Sequence, residues 1–208
     1  MPQRTARALL EEAGTTYAEQ AGIKMADKPA PLYRLLVLSV LLSTRIKSDI
    51  AVAASHELAD FGTPKKMQDA TWQQRVDALG RAHYVRYDES TATALGQGAA
   101  MLLNDFHGDV RQFRVPDRPA QTRRNLQTVP SLGPVGADIF CREAQAVWPE
   151  LAPYFDKKAL SGAEKLGLPA DPQALAEQVE AGETVRLAAA LVRVTLEKGL
   201  LDRILQPA

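Results

Sequence analysis

A short loop between two helical patterns carries the residues whose types and spacing best suit ligand chemistry. It spans Val129 to Ala137, and Pro134 within it is typical of the first turn of a helix. Backbone amides at a helix N-terminus face outward, where they bind phosphate groups. The loop therefore predicts a phosphate site made by the amides of Gly133, Val135 and Gly136.

A carboxylate suited to catalysis follows this loop. Asp156 lies 20 residues after Gly136 and directly before Lys157 and Lys158. A fixed carboxylate can stabilise a positively charged transition state or orient an attacking water molecule. Aspartate is also a preferred N-cap residue, and the two roles are compatible. The two neighbouring amines add a lysine nucleophile as an alternative.

Cysteine and histidine chemistry is limited in this chain. Cys141 is the only cysteine, so neither an intramolecular disulfide nor a four-thiolate cluster can form. It lies on the apolar face of a predicted helix, where we expect a buried thiol. The three histidines, His56, His83 and His107, lack the spacing of metal ligands.

The charges of the chain are segregated along the sequence. The formal net charge is zero, which disfavours a nucleic-acid binder unless the positive charges cluster. Acids dominate from Glu143 to Glu183, whereas five arginines accompany a single acid, Asp117, between positions 111 and 128. This basic segment, which runs into the loop, contains Arg111, Arg114, Arg118, Arg123 and Arg124.

Helical signals dominate from end to end, so we predict an all-α fold. A helix from about Pro31 to Leu42 is apolar nearly all round, which is typical of a central buried element. Another, from Asp88 to Phe106, is amphipathic. Helices from about Pro119 to Thr128 and from Pro134 to Val147 flank the loop and form a helix-hairpin-helix. Later helices are predicted to begin at Asp156, Asp171-Pro172 and Glu183-Thr184.

These motifs resemble the helix-hairpin-helix DNA glycosylase superfamily, typified by endonuclease III, over about residues 31–169. Arg45, after Leu41-Leu42-Ser43-Thr44, falls where the family has a polar residue that enters the gap left by a flipped base. Asp156 falls where the family has its catalytic aspartate. The loop falls at the family's DNA-binding hairpin. By resemblance, the residues expected to contact the DNA backbone are Ser131, Gly133, Val135 and Gly136, and the carbonyls expected to hold a monovalent cation, Na⁺ or K⁺, are those of Gln127, Val129 and Leu132.

The chain also departs from the family pattern. Val135 stands where members with lyase activity carry the lysine that forms a Schiff base, so that route is missing. Ser131 replaces a glycine that tolerates a positive φ. The C-terminal cysteines that hold an iron-sulfur cluster in many relatives are absent, so we expect no such cluster.

The resemblance implies a two-lobed architecture with a DNA cleft between the lobes. A six-helix domain is expected over residues 30–145, and a second domain is expected from residues 1–29 and 146–208. We expect a monomer that binds double-stranded DNA with a damaged base. No apolar run is long enough to cross a membrane, which leads us to expect a cytoplasmic protein, nucleoid-associated if bacterial. Aromatic residues that could line a base pocket are Tyr84, Tyr87, Trp148 and Tyr154.

Three classes of function fit the sequence. The first is a monofunctional DNA glycosylase that uses Asp156 to hydrolyse the N-glycosidic bond of a flipped base, with weak lyase activity through Lys157 or Lys158 as a variant. The second is a catalytically silent relative that recognises damaged or structured DNA. The third is a helical protein-interaction module that kept only the fold.

Overall fold

The computed structural model describes residues 2–206, and within that range the protein is all-helical. The helices of its first half are α1 (Pro2–Ala13), α2 (Tyr17–Gln20), α3 (Pro29–Leu42), α4 (Ser48–Glu57), α5 (Pro64–Asp69), α6 (Trp72–Arg81) and α7 (Asp88–Phe106). Those of its second half are α8 (Pro119–Leu126), α9 (Gly133–Ala144), α10 (Lys157–Lys165), α11 (Pro172–Ala176), α12 (Thr184–Leu196) and α13 (Leu200–Leu205). Short 3₁₀ turns cover Ala59–Phe61, Val110–Phe113 and Pro149–Leu151. The predicted all-α fold is confirmed.

Local capping signals set many of the helix starts. Thr71 accepts a hydrogen bond from the Gln74 amide, and the Gln74 side chain accepts one from the Thr71 amide, forming a capping box before α6. Asp171 caps α11, with Pro172 as its first residue. The predicted N-cap at Asp156 is confirmed at the start of α10.

The larger of two hydrophobic cores is built around α3. Leu35, Leu38 and Leu41 on this helix are fully buried, and α3 packs against α4, α7 and α9. Residues from many of the surrounding elements complete this core, from Tyr17 to Leu151 along the chain. Because α3 is apolar on every side, it can be enclosed by helices all round.

The smaller core joins the two ends of the chain. Buried residues of α1, from Ala6 to Ala13, pack with residues of α10 and α12. The helices α10 and α12 cross at Gly162, where an added Cβ atom would lie only 2.0 Å from the Leu191 carbonyl oxygen. The larger core includes residues 17–23, and the smaller core begins again at Phe155. The domain boundaries at residues 30 and 145 stay a prediction.

Candidate functional site

The hairpin loop connects the end of α8 to the start of α9. The Thr128 and Val129 amides donate to the carbonyls of Asn125 and Leu126, and the Leu132 amide donates to the Val129 carbonyl at 3.1 Å. Two residues adopt left-handed backbone conformations: Ser131 has φ 62° and Gly133 has φ 55°. The chain therefore reverses within six residues, 127 to 132, and α9 begins with its N-terminus at the surface.

Three amides at this turn are available to a ligand. Those of Ser131, Gly133 and Val135 donate to no acceptor within residues 2–206. The fourth predicted phosphate ligand, the Gly136 amide, donates instead to the Leu132 carbonyl at 3.0 Å within the first turn of α9. Val135 is 60% exposed, so its side chain lies open to solvent beside these amides. Free amides at the positive end of a helix dipole attract an anion.

The carbonyls that the resemblance suggests for a cation belong to the same turn. The Val129 and Leu132 carbonyls each accept one backbone hydrogen bond, from Leu132 and Gly136 respectively. A carbonyl oxygen has two lone pairs, so both can accept a second partner. The cation site, with Gln127 as its third ligand, stays a prediction.

The loop that carries Arg45 lies against the hairpin. A Cβ atom added to Gly136 would lie 3.4 Å from the Ser43 Cβ, so the end of α3 contacts the start of α9. The Thr44 hydroxyl is 2.9 Å from the buried Tyr84 hydroxyl, which ties this loop to the core. Arg45 is exposed and forms no hydrogen bond or ion pair with the part of the chain that the structure describes. The loop that carries this unpaired arginine therefore contacts the first turn of α9.

Asp156 is more enclosed than the sequence indicates. One carboxylate oxygen, Oδ1, accepts hydrogen bonds from the Lys158 and Ala159 amides at 2.9 Å each. The other, Oδ2, forms an ion pair with Arg142 Nη1. The Asp156 side chain is 6% exposed and that of Arg142 is 3% exposed. Lys157 and Lys158 are exposed on the first turn of α10.

Behind this ion pair lies another buried carboxylate. Glu143 accepts hydrogen bonds from the Tyr17 and Ala18 amides, at 3.4 and 3.0 Å, at the start of α2. Burial raises the pKa of Glu143, while the positive charges of Arg142 and Arg193 oppose that shift. Arg193 also donates to the Thr15 carbonyl at 2.8 Å. Glu143 and its partners therefore link α9 of the larger core to α12 of the smaller one.

A further carboxylate near the hairpin, Asp138, was not anticipated from the sequence. It lies three residues after Val135, so the two share a face of α9. Asp138 accepts hydrogen bonds from Arg123 Nε and from the Tyr154 hydroxyl, at 2.5 Å each. It raises the pKa of Arg123, and burial raises that of Tyr154. Its spacing from Val135 was the one signal in the sequence that could have indicated this position. Because Arg123 and Tyr154 already donate to its carboxylate, Asp138 is not free to accept a proton from a substrate.

The basic segment is less positive than its sequence suggests. Arg111 pairs with Asp109 at 2.7 Å, Arg114 pairs with Glu150 and Asp27 at 2.5 and 2.9 Å, and Arg123 pairs with Asp138. Arg124 donates to the neutral side chain of Gln121. Arg118 contacts no acid within residues 2–206. Within residues 2–206, the arginines of the basic segment and of the loop after α3 that have no acidic partner are therefore Arg45, Arg118 and Arg124.

Several residues that could have lined a pocket belong to the core instead. Tyr84 and Trp148 are fully buried, and the Trp148 indole donates to Asp27 at 3.0 Å. Tyr87 and Tyr154 are partly buried. Cys141 is buried as expected, and its burial raises the pKa of the thiol to about 12. A thiol of that pKa is protonated at neutral pH and is a poor nucleophile.

Within residues 2–206, no three histidine, cysteine, aspartate or glutamate side chains are grouped to hold a metal ion. No helix in that range is both long and apolar enough to cross a bilayer.

The architecture is similar to that of endonuclease III bound to DNA. One similar structure is a trapped endonuclease III–DNA covalent intermediate, an estranged-adenine complex, with a TM-score of 0.52 at 15% identity. Another is a non-covalent endonuclease III–DNA complex, with a TM-score of 0.52 at 14% identity. Each similarity covers 93% of this chain and 85% of the other chain. No protein-family model and no curated protein matches the sequence. The protein thus has the endonuclease III-like fold.

Proposed function

We propose that this protein is a DNA-repair protein that binds duplex DNA through its hairpin. The observation that carries the proposal is the group of three free amides, of Ser131, Gly133 and Val135, at the start of α9. They suit one DNA phosphate, because an anion there gains both hydrogen bonds and the helix dipole. The two similar solved structures described above are complexes of endonuclease III with DNA, which supports the choice of ligand.

Neighbouring side chains extend the proposed contact. Arg45, adjacent to the hairpin and without a partner in the described chain, would enter the gap left by an extruded base. Arg118, at the N-cap of α8, and Arg124, in its last turn, would contact phosphates next to the one at the hairpin. The protein would then select damaged or mismatched bases, because extruding such a base from the duplex costs the least free energy.

The direct test places a charge at the exposed Val135. Val135→Glu puts a carboxylate beside the proposed phosphate, and an acid in the first turn of a helix does not destabilise that helix. We expect a loss of duplex affinity of roughly tenfold or more, since like charges at an anion site repel. Val135→Lys should strengthen binding. Fluorescence anisotropy of a labelled duplex at low salt measures both.

The matched control makes the same charge change elsewhere. Leu205→Glu alters an exposed leucine of α13, a helix whose Leu200 packs in the smaller core, and should leave affinity within about twofold. Equal losses in the Val135→Glu and Leu205→Glu variants would indicate a general charge effect and reject the hairpin. The absence of any binding at low salt would instead favour a protein-interaction module.

Base excision is the second candidate function, supported by the position of Asp156. Two amides hold its carboxylate at the start of α10, next to α9. Because Val135 supplies no amine, the attacking group would be water and the enzyme would be monofunctional. Purified protein incubated with duplexes that carry alkylated, oxidised, deaminated or mismatched bases tests this. Unchanged base release by Asp156→Asn would exclude Asp156 as the catalytic group.

Lyase chemistry is tested separately, because Lys157 and Lys158 are exposed next to Asp156. An amine that attacks an abasic sugar forms a Schiff base, which borohydride reduces to a stable adduct. Trapping that disappears in the Lys157→Ala/Lys158→Ala double variant would assign the amine to these residues. No adduct with the wild-type protein would end this hypothesis.

A further inference from the structure

The ion pair between Arg142 and Asp156 bears directly on the proposed chemistry. Arg142 is the cation hydrogen-bonded to the Asp156 carboxylate within residues 2–206, and both side chains are more than nine-tenths buried. Little water reaches the pair, so the two charges act on each other with little screening. Lys157 and Lys158, although adjacent in sequence, remain in solvent.

Hydrogen bonds of the backbone before Asp156 connect this segment to the helix that carries Arg142. Gln145, at the end of α9, accepts from the Tyr154 amide at 2.9 Å and donates to the Tyr154 carbonyl at 3.0 Å. The same amide nitrogen of Gln145 donates to the Arg142 carbonyl at 2.8 Å. The segment that leads into Asp156 is therefore bound to the helix that carries Arg142, while α10 holds the carboxylate from the other side.

Hydrolysis of an N-glycosidic bond needs the charge that Arg142 compensates. The bond between C1′ and the base nitrogen breaks, and its electron pair leaves with the base. A water oxygen bonds to C1′, and a water proton ends on the released base. The sugar is positively charged in the transition state, so an uncompensated carboxylate stabilises it. A guanidinium in contact with that carboxylate cancels most of its field at the sugar.

We infer that Arg142 neutralises Asp156 and thereby suppresses base excision, so that the wild-type protein binds DNA without efficient base release. This inference rests on the proposed function, because it assumes that DNA reaches the hairpin. It makes Arg142 the residue that determines the level of activity, although it acts only through Asp156.

The test removes the charge of Arg142 and measures base release on the lesion panel under single-turnover conditions. Arg142→Gln keeps a donor near Asp156 and should raise release from at least one lesion by roughly tenfold or more. Arg142→Lys returns the positive charge, so the gain should be lost. Arg142→Gln/Asp156→Asn should also lose the gain. A merely structural role for Arg142 would not increase activity, which separates the two interpretations.

Folding and DNA affinity are measured on the same samples. Circular dichroism and thermal melting check the fold. If Arg142→Gln does not fold, Arg142→Gln/Glu143→Gln replaces it, since this pair removes the ionisable groups of both residues and keeps an oxygen that can accept from one of the Tyr17 and Ala18 amides. Anisotropy with an undamaged duplex reports hairpin binding independently of chemistry.

The possible outcomes distinguish the suppression by Arg142 from the proposed DNA binding on which it rests. Faster base release by Arg142→Gln, together with wild-type rates of release by Arg142→Lys, supports suppression by Arg142. Normal DNA binding with no base release from any folded variant overturns the inference and leaves DNA binding standing. Wild-type release as fast as that of Arg142→Gln also overturns it. If no variant binds DNA, both proposals fail.

Discussion

Asp156 has two structural partners, the N-terminal amides of α10 and the guanidinium of Arg142. A buried ion pair of this kind contributes little net stability when intact, because desolvation offsets the attraction between the charges. Its disruption is costly, since one charge is left buried without a partner. Any catalytic role of Asp156 must therefore be separated from its role in holding α9 and α10 together.

Asp156→Ala should lower the free energy of unfolding by about 3–5 kcal/mol, because it leaves Arg142 buried and removes an N-cap. Asp171→Ala is the control, since Asp171 caps α11 at an exposed position and its loss costs only about 1 kcal/mol. Chemical denaturation of the two variants measures both. Similar losses of stability in the two variants would show that the ion pair contributes nothing to stability beyond the N-cap.

Glu143 makes stability depend on pH. Its pKa is raised in the folded protein above its ordinary value of 4.5, so the folded state retains a proton that the unfolded state loses. The contribution of Glu143 to stability therefore falls as pH rises above about 4.5. Glu143→Gln lacks this loss, so its stability relative to wild type should increase between pH 4 and about pH 7. Denaturation curves of both proteins across that range check the sign, and parallel curves would contradict it.

At the scale of elements, the hairpin depends on left-handed backbone at two positions, Ser131 and Gly133. The left-handed region is unfavourable for serine and accessible to glycine. The backbone of the turn is thus strained at Ser131, whereas at Gly133 the residue type suits the left-handed conformation. The free amides belong to these two residues and to Val135. A substitution that changes the backbone conformation of the turn would therefore also change the geometry of the proposed phosphate site.

Ser131→Gly should raise the free energy of unfolding by about 0.5–1 kcal/mol, because it relieves the positive φ. Gly133→Ala should lower it by about 1 kcal/mol for the opposite reason, although an added Cβ meets nothing within 4 Å there. Opposite signs in denaturation experiments would support the left-handed turn. A loss of stability in Ser131→Gly would indicate that the serine side chain stabilises the turn.

At the scale of the whole molecule, two cores are joined by buried polar groups of α9 and α12. Glu143 and Arg193 contact the segment of residues 15–18, through which the chain passes between the cores. The smaller core in turn depends on the close crossing of α10 and α12 at Gly162. The helices α1 and α13 contribute to it together with α10, so its packing affects the placement of Asp156 at the start of α10.

Gly162→Ala should destabilise the protein by about 2 kcal/mol or more, because the new methyl group overlaps the Leu191 carbonyl. Gly80→Ala is the matched control, since an added Cβ in α6 meets nothing within 4 Å and alanine favours helix. It should be neutral or stabilising by up to about 1 kcal/mol. Thermal unfolding distinguishes the two, and equal effects would contradict the close crossing.

Local signals carried most of the fold that could be predicted. The bounds of α7, Asp88 to Phe106, follow from a three-and-four apolar repeat and the glycine after it, and the structure has the same bounds. The Asp156 cap was predictable because the capping residue and the helix are adjacent in sequence.

The ion pairs could not be predicted in the same way. Arg142 and Asp156 belong to different helices, and Arg123 and Asp138 lie on the two sides of the hairpin, so their contacts depend on helix packing. The charge of the basic segment was consequently overestimated from sequence. Counting arginines gives their number, while tertiary contacts decide which of them remain available to a phosphate.

The salt dependence of duplex affinity tests the central claim, that the hairpin and its free arginines bind DNA, most directly. With Arg118 and Arg124 as the cations that contact phosphates, the slope of log affinity against log salt should be about −2, at about −0.9 for each phosphate contact. Arg124→Ala should reduce its magnitude by about 1, whereas Arg111→Ala, which removes an arginine already paired with Asp109, should leave it unchanged. Equal effects of the two substitutions, or no binding at low salt, would contradict the account.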